Sequence, residues 1–218
     1  MTSESTSAVI EPPTSIKTET EKMETPKAEA MPTILTAEQL NTEIDSERLQ
    51  ARIREMAHQI NADYKAQGVK KVVIIALLKG SFMFLSDLVK HIDVPCQIEF
   101  VRLASYGNST TSSGTVRPVD LTLPNLANEH VLLVEDIIDT GLTLNFFMDY
   151  LQSLHKTQSL KLAVLLDKPM TRSPKVKPVV IDYCGFEVGD SFLVGYGLDY
   201  AGFYRNLPFI ASIPPEHQ

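Results

Sequence analysis

The chain has 218 residues, 44% hydrophobic and 22% charged, the makeup of an ordinary soluble domain with room for a sizeable core. A formal net charge of −7 offers no global field for holding a polyanion, which weighs against nucleic acid as the main partner. No apolar run approaches the roughly 18 residues needed to span a bilayer, and the start of the chain lacks a secretory pattern, so no membrane and a cytoplasmic location are expected.

Residues 1–31 are rich in Ser, Thr, Glu, Lys and Pro and contain no aromatic residue, so they read as a disordered tail ahead of one domain over 32–218. Thr36 and Gln39 have the spacing of a capping box, and a short helix is expected there. A better helix follows Ser46, with Leu49, Ile53, Met56, Ala57, Ile60 and Tyr64 at helical spacing and Gly68 as its stop. Val72–Leu78 is continuously apolar, as in a strand covered on both faces, and Lys79-Gly80-Ser81 separates it from a helix over Phe82–Val89. Gln97–Leu103 reads as a strand, and the polar, glycine-bounded stretch Ser105–Gly114 as a mobile loop. Further strands are expected over Val131–Val134, Leu160–Leu166, Val179–Tyr183 and Phe192–Tyr196, with a helix over Leu144–Leu154. Strands alternating with helices indicate an α/β domain with a mainly parallel sheet. Cys96 and Cys184 stand in no metal-ligand spacing and read as buried reduced thiols; the five histidines form no ligand set either.

The informative stretch is Val131 to Thr143. A buried strand runs into Glu135-Asp136, then two apolar residues, then Asp139-Thr140-Gly141-Leu142-Thr143 and an apolar helix. Gly141 permits a tight turn, Thr140 and Thr143 supply hydroxyls, and the N–H groups opening the helix suit a phosphate. Two carboxylates just upstream would repel a bare phosphate and are better suited to sugar hydroxyls and a metal.

This order of residues resembles the phosphoribosyl diphosphate (PRPP) motif of the type I phosphoribosyltransferases, over roughly Ile34 to Ile210. It is most similar to the branch that uses hypoxanthine and guanine, in its bacterial-looking form. Four further stretches carry the likeness: Leu77–Ser81, Ser105–Gly107, Leu166–Lys168, and Phe192–Tyr200 with Arg205. The resemblance implies the fold of that family: a mainly parallel central sheet flanked by helices, with a small hood. It implies salvage chemistry, in which the 5-phosphoribosyl group of PRPP moves to N9 of hypoxanthine or guanine with Mg2+ and pyrophosphate departs.

By resemblance, Glu135 and Asp136 hold the ribose hydroxyls and influence the metal, Asp139 takes the N7 proton, and Asp139 to Thr143 wrap the 5-phosphate. Leu142 departs from some relatives, which carry lysine there. Lys79, Gly80 and Arg205 contact pyrophosphate, with a cis peptide bond often found before such a lysine. Asp199 reaches a second magnesium, while Lys168 donates to O6, Phe192 stacks on the purine and the Leu193 backbone meets its edge. Ser105 and Tyr106 belong to a loop that closes over the site, and a homodimer or homotetramer is implied. Three alternatives stand beside this reading: xanthine as the preferred base, an RNA-binding regulator on the same fold, and a silent homologue acting through oligomer contacts.

Overall fold

Two sheets organise the chain, whose computed structural model describes residues 33–105, 116–120, 123–174 and 177–217. The expected tail lies outside the described residues, as do Tyr106 and most of the expected mobile loop. In chain order come β1 (Asn41–Ile44), α1 (Ser46–Ala66), β2 (Val72–Leu78), α2 (Phe82–Val89), β3 (Cys96–Ser105), β4 (Val116–Asp120) and β5 (His130–Ile138). They are followed by α3 (Leu142–Leu154), β6 (Ser159–Asp167), β7 (Tyr183–Glu187), β8 (Leu193–Val194) and β9 (Ile210–Ser212).

The larger sheet has the order β4-β3-β2-β5-β6-β7. Five of its strands run parallel, and β4 closes one edge antiparallel to β3. The smaller, antiparallel sheet has the order β1-β9-β8 and forms the hood. From β2 the chain steps outward to β3 and later returns to place β5 on the other side of β2. The crevice outside the carboxyl ends of such a pair is where open α/β sheets hold ligands.

β2 is apolar without interruption because both its faces are covered. Ile74 and Ala76 join the core under α1 and α2, while Val73, Ile75 and Leu77 join the core under α3. On α1 the residues at helical spacing, Leu49, Ile53, Met56, Ala57, Ile60 and Tyr64, are the buried ones. Asp45 caps this helix by accepting the Arg48 N–H at 2.8 Å, and Gly68, at φ +67°, follows its end. Because β7 is an edge strand, its carbonyls need partners; Arg52 of α1 donates to those of Cys184 and Gly185 at 2.7 and 2.9 Å.

Several expectations are corrected. The helix expected after Thr36 is a single 3-10 turn, Ala37–Gln39, in which Gln39 Oε1 accepts the Thr36 N–H at 2.9 Å. The strand placed at Val179–Tyr183 begins only at Tyr183, because pairing with β6 starts at Ala163 opposite Tyr183. Before it, Asp182 accepts the Leu162 N–H through its carboxylate, and Val179 and Ile181 pack on the α3 side as irregular chain. The strand placed at Phe192–Tyr196 shrinks to Leu193–Val194, since Gly195, Tyr196 and Gly197 all take positive φ. Cys96 is exposed at the start of β3 and Cys184 is half-buried; both thiols are free. Among the described residues no helix is long and apolar enough to cross a membrane.

Ile53 sits at 0% exposure in the centre of α1's buried stripe. Ile53→Ala is expected to cost about 2–5 kcal/mol through lost burial and the cavity left behind. A urea titration should show a lowered midpoint with an unchanged slope.

Candidate active site

At the carboxyl end of β2 the chain turns sharply. The Leu78–Lys79 peptide is cis, and the buried Ser81 hydroxyl donates to the Leu77 carbonyl at 2.5 Å. Lys79 emerges into solvent, whereas Gly80 is buried. A side chain at Gly80 would have to displace the Asp136 carboxylate: a Cβ there would lie 1.6 Å from Asp136 Oδ2. From the other side comes Gly197, at φ +103°, where a Cβ would lie 1.9 Å from the Gly80 carbonyl oxygen. The Lys79-Gly80 loop is therefore clasped between Asp136 of β5 and the loop that follows β8.

The strand β5 does not stop at Val134 as expected but carries Glu135 and Asp136 within it and ends at Ile138. Glu135 is half-buried as a residue, yet its Oε2 is enclosed and has no hydrogen-bond partner among the described residues. Burial, with the charge of Asp136 beside it, pushes the Glu135 carboxyl well above the usual carboxylate range. Burial also pushes Asp136 up to about 6, against the pull of its own and Ile137's N–H groups and of Arg205, and with a push from Asp199.

After β5 comes the loop Asp139–Gly141, where Gly141 at φ +79° caps α3. The buried Asn145 side chain braces this turn, donating to the carbonyls of Gly141 and Lys177 at 3.1 Å each. Among the described residues the N–H groups of Asp139, Thr140 and Gly141 have no partner. Asp139, Thr140 and Thr143 are exposed, and the Leu142 N–H faces Thr140 Oγ1 at 3.4 Å. Orphan donors ahead of a helix start make a site for an anion.

Beyond β6, Lys168 is buried at 8% exposure. Its backbone N–H donates to the Ile138 carbonyl at 3.0 Å, and its ammonium donates to the Ser191 carbonyl at 2.6 Å. Phe192 stands just before β8, is 42% exposed, and meets the ring of Tyr200 edge-on at 5.6 Å. Leu193 opens β8 and is buried. Asp199 pairs with Arg205 at 2.5 Å and accepts the Gly202 N–H at 2.9 Å; Arg205 also donates to the Gly197 carbonyl at 2.6 Å.

Of the residues singled out from the sequence, Gly80 thus adjoins Asp136, with Arg205 linked to it through Gly197, and Lys168 links the end of β5 at Ile138 to Ser191, next to Phe192. Among the described residues no three of His, Cys, Asp and Glu make a ready-made metal cage, so Glu135, Asp136 and Asp199 do not surround one ion by themselves. Ser105 ends β3, while its companion Tyr106 lies outside the described residues. Two residues escaped the sequence reading. Asn145 is hidden among the apolar positions of α3, and Arg172 sits in a polar loop, from which it donates to the carbonyls of Ile138 and Asp139.

The phosphoribosyl transferase domain model matches residues 41–201. A hypoxanthine-guanine phosphoribosyltransferase of Bacillus subtilis is 40% identical over 172 residues, 79% of this chain and 92% of that protein. A hypoxanthine phosphoribosyltransferase of Haemophilus influenzae is 41% identical over 170 residues, 78% and 93% of the two chains. A crystal structure of a hypoxanthine-guanine phosphoribosyltransferase from Bacillus anthracis superposes with a TM-score of 0.73 at 44% identity, covering 80% of this chain and 98% of that one. These likenesses settle the family: the chain is a type I phosphoribosyltransferase, of the branch that includes the bacterial hypoxanthine-guanine enzymes.

Proposed function

We infer that the chain transfers the 5-phosphoribosyl group of PRPP to N9 of hypoxanthine or guanine, giving the nucleoside monophosphate and pyrophosphate in purine salvage. The observation that carries this reading is the convergence, at one switch point, of an anion loop, a buried acidic pair and a buried lysine beside an exposed aromatic ring. The unpartnered N–H groups of Asp139, Thr140 and Gly141 face the 5-phosphate, with Leu142 and Thr143 completing the turn. Glu135 Oε2, enclosed and without a donor, accepts from a ribose hydroxyl, with Asp136 beside it.

On the purine side Phe192 supplies a stacking face and the Leu193 backbone meets the ring edge. Lys168 donates to the carbonyls of Ser191 at 2.6 Å and Asp190 at 3.4 Å and keeps the third of its ammonium hydrogens for O6. Asp139, exposed at the head of the phosphate loop, takes the N7 proton as N9 attacks. Lys79, Gly80 and Arg205 receive the pyrophosphate, and the loop containing Ser105 and Tyr106 excludes water from the activated ribose. Most of the rate gain comes from positioning and electrostatics, with no protein nucleophile.

Glu135, Asp136 and Asp199 would hold magnesium only together with PRPP oxygens, which suits an ion that takes a few carboxylates plus phosphate oxygens and water. Magnesium, when bound, offsets charge building on the departing pyrophosphate.

Pyrophosphate release from PRPP, measured with hypoxanthine, guanine, xanthine and adenine in turn, tests the reading. Release is expected with the first two, to depend on magnesium, and to fall well over tenfold with adenine. Adenine presents an amino group to the Lys168 ammonium, which leaves a desolvated charged donor without an acceptor. Equal use of adenine, or equal turnover without metal, would contradict it.

Two substitutions separate the roles. Asp139→Asn keeps shape but removes the proton acceptor, so turnover should fall ~10²–10⁴-fold while calorimetry shows PRPP still bound. Lys168→Gln should weaken use of hypoxanthine and guanine and narrow their advantage over adenine, with the KM for PRPP little changed.

A further inference from the structure

We infer that Arg172 is a positioning residue that aims the N–H groups of the phosphate loop. The inference rests on the phosphoribosyl-transfer reading for what fills the loop, but on the geometry of the chain itself for how the loop is held.

The segment after β6 folds back beside the loop. Pro169–Thr171 makes a tight 3-10 turn, held by the Thr171 hydroxyl donating to the Lys168 carbonyl at 3.0 Å, and this brings Arg172 next to the end of β5. Three successive carbonyls of the loop are then taken from the same side. That of Ile138 accepts from the Lys168 N–H at 3.0 Å and from Arg172 Nη1 at 2.8 Å. That of Asp139 accepts from the same Nη1 at 2.5 Å, and that of Thr140 from the Ser173 N–H at 3.1 Å. Arg172 Nη2 is anchored on the carboxylate of Asp167, the last residue of β6.

In a planar trans peptide, the C=O of one residue and the N–H of the next point in opposite directions. Fixing the carbonyls of Ile138, Asp139 and Thr140 toward the Lys168–Ser173 segment therefore turns the N–H groups of Asp139, Thr140 and Gly141 the other way. Those are the donors that have no partner among the described residues. Arg172 contacts two of the three peptide units, sharing that of Ile138 with the Lys168 N–H and holding that of Asp139 by itself among the described residues. The guanidinium can do this because it is a rigid planar fork, donating to two sides at once. A lysine is a single point of charge and cannot bridge Asp167 and both carbonyls in the same way. Because Asp167 neutralises most of its charge, Arg172 acts on the loop through geometry more than through long-range attraction. The same bracing links the phosphate loop to Lys168, so the two ends of the substrate are registered against each other through one segment.

The test uses Arg172→Lys and Arg172→Ala in the full chain, with two readouts. In steady-state assays both variants should raise the KM for PRPP about ten- to hundredfold, the loss expected for one or two misdirected charge-assisted contacts. The KM for hypoxanthine should change within about threefold. In calorimetry with ribose 5-phosphate, which needs no turnover, affinity should fall by a similar factor. Guanidinium chloride at sub-denaturing concentration should restore part of it in the alanine variant and none in the lysine variant. The lysine variant keeps the question answerable where the alanine variant does not fold. If ribose 5-phosphate binds both variants as it binds the wild type, the inference is overturned, whatever the activity. If only kcat falls and both KM values hold, Arg172 merely supports the fold and the inference is again overturned. A wild type that binds ribose 5-phosphate but never releases pyrophosphate would instead sink the transferase reading, with the binding comparison still deciding the role of Arg172.

Discussion

The close approach of two backbones and one carboxylate at the switch point governs the site. Gly80 leaves no space between itself and Asp136, and Gly197 leaves none between itself and Gly80. Backbone therefore meets carboxylate and backbone directly, and the loops from β2, β5 and β8 share one small volume. Each loop leaves a different element, so no single stretch of chain could build the crevice. What brings them together is the parallel order of the sheet, with β5 returned to the side of β2 away from β3.

A carboxylate enclosed without a partner is costly, and Glu135 keeps one oxygen in that condition. Asp136 differs: its own and Ile137's N–H groups and the nearby Arg205 offset part of the burial. The two adjacent acids are therefore unequal, one left open for a donor and the other already held. Preorganisation of this kind places the desolvation cost in the folded protein before a ligand arrives.

The sequence was most legible where a pattern repeats or a motif is contiguous. On α1 the spacing from Leu49 to Tyr64 identified the buried face, and Val72–Leu78 announced a strand covered twice. The stretch from Val131 to Thr143 carried the anion loop in one piece. The hood was nearly invisible, because β1, β8 and β9 are two to four residues long and pair across almost the whole chain, Asn41 with Ser212. Val179 and Ile181 misled for a related reason: their apolar character reflects packing on the α3 side, not a ladder. The burial of Lys168 and the reach of Arg172 depend on a three-residue turn folding back, which neither periodicity nor composition encodes.

The hood has its own core of Leu35, Leu40, Val194, Tyr204, Ala211 and Ile213, separate from the two cores that cover the parallel sheet. Tyr204 ties it to the start of the described chain, accepting the Leu35 N–H at 2.6 Å and donating to its carbonyl at 3.2 Å. The hood is nonetheless joined to the sheet: Ile44, Leu193 and Ile210, one from each of its strands, lie in the core under α1 and α2. Lys168 adds a second tie, reaching from the end of β6 to the Ser191 carbonyl just before β8. A change in either layer is therefore felt by the other, and neither can be rebuilt alone.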